Sequence, residues 1–339
     1  MTERHFKAAT GAVRMAMATR AAQIGLPAAA LLAGLAGFAH PAAARFLSFG
    51  QYGDTQHGDS YGILTGSQSG GTAGTFTFTG SGTKVTGDVG VGNNEAITGG
   101  AGGGISGTLY TSPSVTGSLT GKTATSSSNP ATGITSATNF SIAAAALATT
   151  GTVPGNAINK TSGTQTISLS AGQNVINVSS LSLSGNSTLQ ISGTAGDRLI
   201  LNVSGGFSIT GTSAITLTGG ITAADLLFNV TGSGANVTIH NGTSTSKKTI
   251  AGTILAPSDN ISLDGYTTLT GSVIGAFGTP STAYTFTDGT SANNFAIAYV
   301  AYAPEPSSLA VLGVALGGLG FIRRRRRGQG GNGAGMTPA

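Results

Sequence analysis

The chain has no cysteine among its 339 residues. No disulfide can therefore stabilise it, even in an oxidising compartment, and its stability has to come from burial and backbone hydrogen bonding. The absence also removes thiolates from any metal site, because zinc and iron sites depend heavily on cysteine ligands.

Charge is scarce as well, at 8% of the residues, and its distribution excludes nucleic acid as a partner. The formal net charge is +5, but nine of the sixteen basic residues fall within residues 1–44 and 323–327. Six basic and nine acidic residues remain between Phe46 and Ala303. Such a charge-poor, mildly acidic body has no basic stripe to contact phosphates.

Catalytic and metal-binding patterns are also missing from this body. Its two histidines, His57 and His240, have no companion at metal-ligand spacing, so each is predicted to be an isolated surface residue. The acids stand mostly beside glycine, which favours turn capping. Asp259 and Asp264 flank one predicted strand and are the candidate pair for a polysaccharide-degrading enzyme, although their spacing does not indicate a shared site. We predict no catalytic residue, no metal ion and no cofactor.

The first 44 residues have the layout of a secretory signal peptide. A basic region over residues 1–20 precedes an apolar run over 24–38, and small residues stand at Ala42 and Ala44. This order predicts export through the inner membrane, with cleavage before Arg45. The exported body is then expected to cover residues 45–303.

The C-terminal segment 304–327 has three parts in a fixed order. Pro304, Glu305 and Pro306 precede an apolar run over residues 307–322, which as a helix would measure roughly 24 Å and fall slightly short of a bilayer core. A stop-transfer run of arginines follows, consisting of Arg323, Arg324, Arg325, Arg326 and Arg327. Residues 328–339 are predicted to be a disordered tail.

This three-part tail resembles the PEP-CTERM sorting signal of Gram-negative bacteria. The resemblance implies handling by an exosortase, transient insertion in the inner membrane, and a final place on the cell envelope surface or in an extracellular matrix rich in exopolysaccharide. An ordinary single-pass anchor is the alternative interpretation, and the short, glycine-rich span disfavours it.

The body shows short runs of alternating polar and apolar residues from Gln165 onward, each ended by Gly, Asn or Asp. Period two is typical of half-buried strands, and a β-sandwich would also give this spacing. However, the most apolar strands begin near Val175, Leu199, Leu226, Thr253 and Val273, at intervals of 20–27 residues. Three short strands per interval favour an all-β solenoid, a right-handed parallel β-helix.

One alanine-rich segment, residues 136–150, breaks the strand rhythm and predicts a single α-helix near 137–150 that covers one face of the β-helix. Ser136, Thr138 and Asn139 are the expected capping residues, and Gly151 the expected stop. We expect helical hydrophobic segments at both termini in addition.

The body resembles the choice-of-anchor A domain and the ice-binding-protein-like β-helix family. The resemblance is carried by the segment Thr86–Gly92 (TGDVGVG), by the alanine-rich helix and by residues 250–277. It implies a β-helix with a flanking helix and an extracellular setting, without fixing a ligand.

Threonines alternate with apolar residues in three segments, 75–79, 216–218 and 285–287. If they stacked across coils, they would form a flat face suited to ice or to a glycan chain, although threonine also simply favours strands. The sequence thus predicts a non-enzymatic, surface-sorted structural or adhesive protein of the exopolysaccharide matrix. An ice-binding protein is the first alternative and a polysaccharide-degrading enzyme the second.

Overall fold

A computed structural model describes residues 61–67, 74–79, 84–100, 104–232, 236–243, 245–277, 283–287 and 296–298. The predicted signal peptide, the sorting tail and both terminal hydrophobic segments lie outside the described residues, and so does His57. Within the described part of the chain, no helix has the length and hydropathy needed to cross a bilayer.

The described residues form twenty-three strands and one α-helix. The strands are β1 Tyr61–Thr65, β2 Gly74–Thr79, β3 Lys84–Thr86, β4 Asp88–Val91, β5 Glu95–Thr98, β6 Leu109–Thr111, β7 Thr116–Gly117, β8 Ala124–Ser126, β9 Ile158–Ser168, β10 Gln173–Val178, β11 Leu181–Ser192, β12 Arg198–Val203, β13 Phe207–Gly211, β14 Ala214–Thr218, β15 Leu226–Val230, β16 Asn236–Asn241, β17 Lys248–Ala251, β18 Thr253–Ala256, β19 Asn260–Gly265, β20 Thr267–Thr270, β21 Val273–Gly275, β22 Ala283–Thr287 and β23 Ala296–Ala298. The helix, α1, spans Asn129–Ala145.

The strands build three faces of a parallel β-helix. Face A is the nine-stranded sheet, with the order β10-β12-β15-β18-β21-β1-β4-β6-β8. The fourteen-stranded sheet supplies two faces, because the long strands β9 and β11 turn the corner between them. Face B contains the first halves of β9 and β11 with β13, β16, β19, β22, β2, β5 and β7. Face C contains their second halves with β14, β17, β20, β23 and β3.

All ladders between these strands are parallel, which confirms the β-helix and rules out the sandwich. The predicted intervals between the most apolar strands are also confirmed, since those five strands are β10, β12, β15, β18 and β21, neighbours on face A.

We number the coils by stacking order. Coil 1 contains β9, coil 2 β10–β11, coil 3 β12–β14, coil 4 β15–β17, coil 5 β18–β20, coil 6 β21–β23, coil 7 β1–β3, coil 8 β4–β5 and coil 9 β6–β7, and β8 adds a last strand to face A.

The order of the coils differs from the order of the chain. β1 pairs with β21, so that Ile63 lies beside Val273 and Leu64 beside Ile274. The first strands of the chain therefore extend the stack beyond its last strands, and the polypeptide must return from the end at coil 9 to coil 1. Helix α1 makes this return, packing against strands of face A from β6 and β4 to β15 and β12. Its 17 residues measure about 25 Å, which matches roughly five coils.

The predicted helix exists, but its predicted bounds are wrong. It begins at Asn129, well before the expected start near residue 137, with Pro130 in the first turn and Ser128 as N-cap, and it ends at Ala145. The expected caps fail because Ser136 is buried inside the helix and Thr138 donates its hydroxyl hydrogen to the Ile134 carbonyl one turn earlier.

Face A carries buried apolar residues on both sides, which explains why its strands are the most apolar in the sequence. Its inward residues join the core of the β-helix, while Leu64, Ile200 and Leu227 point outward and pack against α1. Helical periodicity predicts that Phe140, Ala143, Ala144 and Leu147 face inward. Phe140 and Ala144 are fully buried in this second cluster, and Ala143 and Leu147 are half-buried. The prediction that the helix covers one face is confirmed.

The close approach of α1 depends on glycine in the segment Thr86–Gly92. A Cβ atom at Gly92 would collide with Ile134 of the helix and with the Ser67 carbonyl. The structure thus gives this glycine-rich segment a packing role at coil 8.

An asparagine ladder fixes the second half of the helix to face A. Asn202 donates to the Asn177 side chain at 2.9 Å, and Asn229 donates to the Asn202 side chain at 2.8 Å. Asn229 also donates to the Ser141 carbonyl of α1 at 3.0 Å and accepts from the Ser141 hydroxyl at 2.6 Å. Since Asn229 is fully buried, each of these hydrogen bonds replaces one that water would otherwise make.

The core follows the predicted period of two on face B. Leu183, Ile209, Ile239 and Leu263 stack in register in coils 2 to 5, and all are fully buried. The alternation also predicts that Leu217 points inward in the next coil of this stack. This prediction is wrong, since Leu217 lies on face C and is only partly buried at the edge of the core.

Candidate functional site

Face B offers the most regular exposed array of polar side chains. Because its strands are parallel and in register, every second residue points outward and lies beside its counterpart in the next coil. One row runs through eight coils, in the order Asn159, Ser182, Ser208, Thr238, Ser262, Thr285, Thr77 and Thr98. At about 4.8 Å per coil, this row is roughly 34 Å long.

The described side chains of this row are exposed or half-buried. The hydroxyl oxygens of Thr77 and Thr98 lie 3.1 Å apart across coils 7 and 8. Seven of the eight residues carry a hydroxyl group and one carries an amide. Each can both donate and accept a hydrogen bond, which suits the face to a hydroxylated ligand.

The three threonine segments do not share one face. Segments 75–79 and 285–287 pair in register on face B, with Thr77 beside Thr285 and Thr79 beside Thr287. Segment 216–218 lies on face C, next to Gln190 and Ser192. The predicted stacking of threonines is therefore found for two segments out of three.

Face C is less regular than face B. Alanine interrupts its outward rows, since Thr188 lies beside Ala214 and Thr268 beside Ala296. We therefore take face B as the candidate site.

Two lateral pairs accompany the central row of face B in coils 4 and 5. Asn260 donates to the Asn236 side chain at 3.2 Å on one side of the row. On the other side, His240 Nδ1 lies 3.0 Å from Asp264 Oδ2, with 47% and 27% of the two side chains exposed. The expectation of an isolated histidine is thus wrong for His240, because the coil register brings together two residues that are 24 positions apart.

The candidate enzymatic pair is not brought together. Asp259 is fully buried at the start of β19, whereas Asp264 is partly exposed near its end. Five residues of extended strand separate them by roughly 16 Å. Paired carboxylates that cleave glycosidic bonds stand within about 10 Å of each other, so these two aspartates do not form such a pair.

Other aspartates cap turns, and for Asp88 its neighbouring glycine predicts this role. Asp88 accepts a hydrogen bond from the Thr108 amide at 2.8 Å, and Asp225 forms a capping box with Thr222. Asp197 accepts hydrogen bonds from the amides of Gly172 and Thr194, which lower the pKa of its carboxyl group. These carboxylates serve the fold.

Glu95, the first residue of β5, differs because burial raises the pKa of its carboxyl group to about 7. The folded protein therefore holds this proton more tightly than the unfolded chain does, and Glu95 lowers stability as the pH rises from about 4.5 through 7. We expect Glu95→Gln to raise the free energy of unfolding by about 2 kcal/mol at pH 8 and to change little at pH 4. Thermal unfolding across this pH range measures the effect.

Asp197→Asn is the control of opposite sign. The pKa of Asp197 is lowered, so its stabilisation is present above the unfolded pKa and disappears as the pH falls. This variant should be less stable than the parent at pH 8. If Glu95→Gln did not raise the free energy of unfolding at pH 8, this result would contradict the conclusion that the Glu95 carboxylate is destabilised by burial.

Two surface cavities lie near coil 1 and the end of α1, and Asn159, the first residue of the central row, lines one of them. One of about 490 Å³ is near the end of α1, beside Thr149, Asn177 and Asn202. The other, of about 690 Å³, lies at coil 1, and Lys160 is the single ionisable residue in the two linings. Among the described residues, no group of three His, Asp or Glu side chains is placed to hold a metal ion.

Several solved structures are similar to this chain. An ice-binding protein from the Antarctic ascomycete Antarctomyces psychrotrophicus shares 19% identity, with 68% of this chain and 97% of that chain covered and a TM-score of 0.43. An ice-binding protein from an Arctic yeast shares 16% identity, with 74% and 94% covered and a TM-score of 0.47. One from an Antarctic bacterium of the Flavobacteriaceae shares 15%, with 73% and 47% covered and a TM-score of 0.45. No curated protein is significantly similar in sequence.

The family described as "Putative Ice-binding-like adhesive domain" matches residues 49–284, more than two thirds of the chain. The chain belongs to this family. The match covers the strands β1 to β21 and the first two residues of β22. It leaves out the last three residues of β22 and the strand β23.

Proposed function

We propose that this protein is an exported, non-enzymatic adhesive protein that binds extended polysaccharide chains of an extracellular matrix through face B. The observation that supports this proposal is the row of hydroxyl and amide side chains through eight consecutive coils. Membership of an adhesive-domain family agrees with it.

A row of this kind binds a polymer by repetition. Each hydroxyl contact is weak, because it replaces a hydrogen bond to water, but an extended chain can make many such contacts at once. Affinity should therefore increase with polymer length. Salt should have little effect, since few charged side chains stand on the face.

The proposed delivery of the body rests on its two ends. The signal peptide with Ala42 and Ala44 would direct export, and the motif Pro304–Pro306 with the arginine run would pass the protein to an exosortase-type machinery at the inner membrane. β1 lies on face A of coil 7 and β23 on face C of coil 6. The start of β1 and the end of β23 thus stand at the edge between faces A and C, opposite face B, so an envelope attachment near that edge would leave face B turned outward.

Ice binding is the second candidate function. It is supported by the paired threonine segments of face B, where Thr77 and Thr79 lie beside Thr285 and Thr287. A flat array of hydroxyl and methyl groups at regular spacing suits an ordered water surface as well as a glycan. The solved structures similar in fold are ice-binding proteins of other organisms.

Thr238→Lys tests face B, because Thr238 stands in the middle of the row. The long, charged side chain should hold the ligand away from the flat face and weaken binding at least tenfold. Thr216→Lys is the matched control, since Thr216 is also a half-buried strand threonine but lies on face C. Binding to immobilised polysaccharides and inhibition of ice recrystallisation are measured in parallel for both variants.

The readouts separate the two candidate functions. Glycan binding that Thr238→Lys weakens and Thr216→Lys leaves intact supports the adhesive function, and the same pattern in the ice assay alone supports ice binding. Equal effects of the two variants would contradict face B as the binding surface. Release of reducing sugar ends would contradict the non-enzymatic proposal.

A further inference from the structure

One edge of face B carries a group of residues unlike the rest of the row. His240 and Asp264 lie side by side in coils 4 and 5. Among the described residues that point outward from β16 and β19, these two have ionisable side chains. Thr210 of coil 3 continues their row, beside His240. The pair therefore stands in line with hydroxyl residues, and the other described outward side chains of β13, β16 and β19 are uncharged.

An aromatic residue follows this pair closely in the chain. Tyr266 follows Asp264 by two residues at the corner between faces B and C, and it is half-buried. Gly242, in the coil before, has a φ of +81°, and a Cβ atom there would collide with the Tyr266 carbonyl and lie 3.2 Å from its Cβ. The glycine thus leaves room for Tyr266 to stand close to the turn that follows His240.

These three side chains offer complementary ways to contact a sugar. With Oδ2 of Asp264 taken by His240, its Oδ1 can accept a hydroxyl hydrogen, and the imidazole Nε2 provides a second polar atom. Hydrogen bonds to a charged acceptor are stronger than those between neutral groups. An aromatic side chain adds an apolar surface with a polar end, which suits the mixed faces of a pyranose ring.

The same pair is poorly suited to ice. Charged groups bind their own hydration water tightly, and this water does not follow the spacing of a regular array. A carboxylate also repels anionic polymers, so the chemistry favours a neutral ligand.

We propose that His240, Asp264 and Tyr266 form a subsite that selects a neutral, hydroxyl-rich polysaccharide among the polymers that face B can contact. This inference rests on the polysaccharide-binding function proposed above and adds the residues that give it specificity. The row supplies many similar contacts, whereas the subsite supplies a few stronger ones at a fixed place.

The test compares the parent with His240→Thr/Asp264→Thr, which replaces the pair by residues typical of the face. Asp264→Asn is a second variant, since it keeps the size of the side chain and removes its charge. The probes are immobilised mannan, dextran and a β-linked glucan as neutral polymers and alginate as an anionic one. We expect both variants to bind the preferred neutral polymer about tenfold more weakly, with unchanged circular dichroism and unchanged inhibition of ice recrystallisation.

The outcomes distinguish this inference from the function on which it rests. If Thr238→Lys abolished binding but the variants of the pair bound like the parent, face B would remain the binding surface and the subsite would be overturned. The pair would then serve only as a cross-strand contact within the sheet. If the parent bound none of the polymers, the polysaccharide function itself would fail, and stronger binding to alginate than to the neutral polymers would overturn the proposed ligand class.

Discussion

Ile239→Asp should abolish the cooperative unfolding of the body. Ile239 is fully buried between Ile209 and Leu263, so an aspartate there would place a charge in the core with no partner. The cost is about 4 kcal/mol or more, a large part of the roughly 5–15 kcal/mol by which folded domains are usually stable. Thermal denaturation followed by circular dichroism measures the change in the free energy of unfolding.

Thr238→Asp is the matched control, because Thr238 is the preceding residue of the same strand and points to the outside of face B. Its effect on stability should stay within about 0.5 kcal/mol, as for most surface substitutions. Similar losses at the two positions would show that β16 does not alternate between core and surface.

Asn229→Ala should loosen the helix from face A and destabilise the protein by about 3 kcal/mol. The change removes three hydrogen bonds and leaves the Ser141 carbonyl, the Ser141 hydroxyl and the Asn202 side chain with buried polar atoms that have lost a partner. Because α1 returns the chain from the end at coil 9 to coil 1, its loosening should be seen directly. Hydrogen exchange of the α1 amides, together with denaturant unfolding, measures both effects.

Asn236→Ala provides the comparison for the asparagine ladder. Asn236 also forms a side-chain amide pair across coils, with Asn260, but this pair is exposed on face B. Water can replace its hydrogen bond, so the expected loss is below about 1 kcal/mol. If the two alanine variants were equally stable, burial of the ladder would not explain the attachment of the helix.

Much of the fold can be predicted from local pattern alone. Alternation in segments such as Val237–Ile239 identifies strands, because a strand that is buried on one side needs an apolar residue at every second position. The recurrence of strands such as β12 and β15, apolar at nearly every position, predicts the length of one coil. The turn role of Asp88 was also predictable, since an aspartate beside a glycine favours a turn.

The helix shows where local pattern is insufficient. Its alanine-rich half suggests a start near residue 137, but burial of Ile134 against Gly92 and the packing on β4 and β6 extend it back to Asn129. Tertiary packing overrides intrinsic preference when a weak helix-forming segment gains buried contacts.

The sequence by itself determined the unit of this protein, a short polar-apolar strand repeated three times per coil, because alternation and turn residues act within a few positions. Only the tertiary structure decided how the units are stacked. It placed β1 on β21, Asn229 beneath Ser141, and His240 beside Asp264. These contacts join residues that are far apart in the chain. Any two flat coils of similar length can stack in parallel and in register, so local pattern does not determine which coil lies beside which. The packing of the whole solenoid determines it.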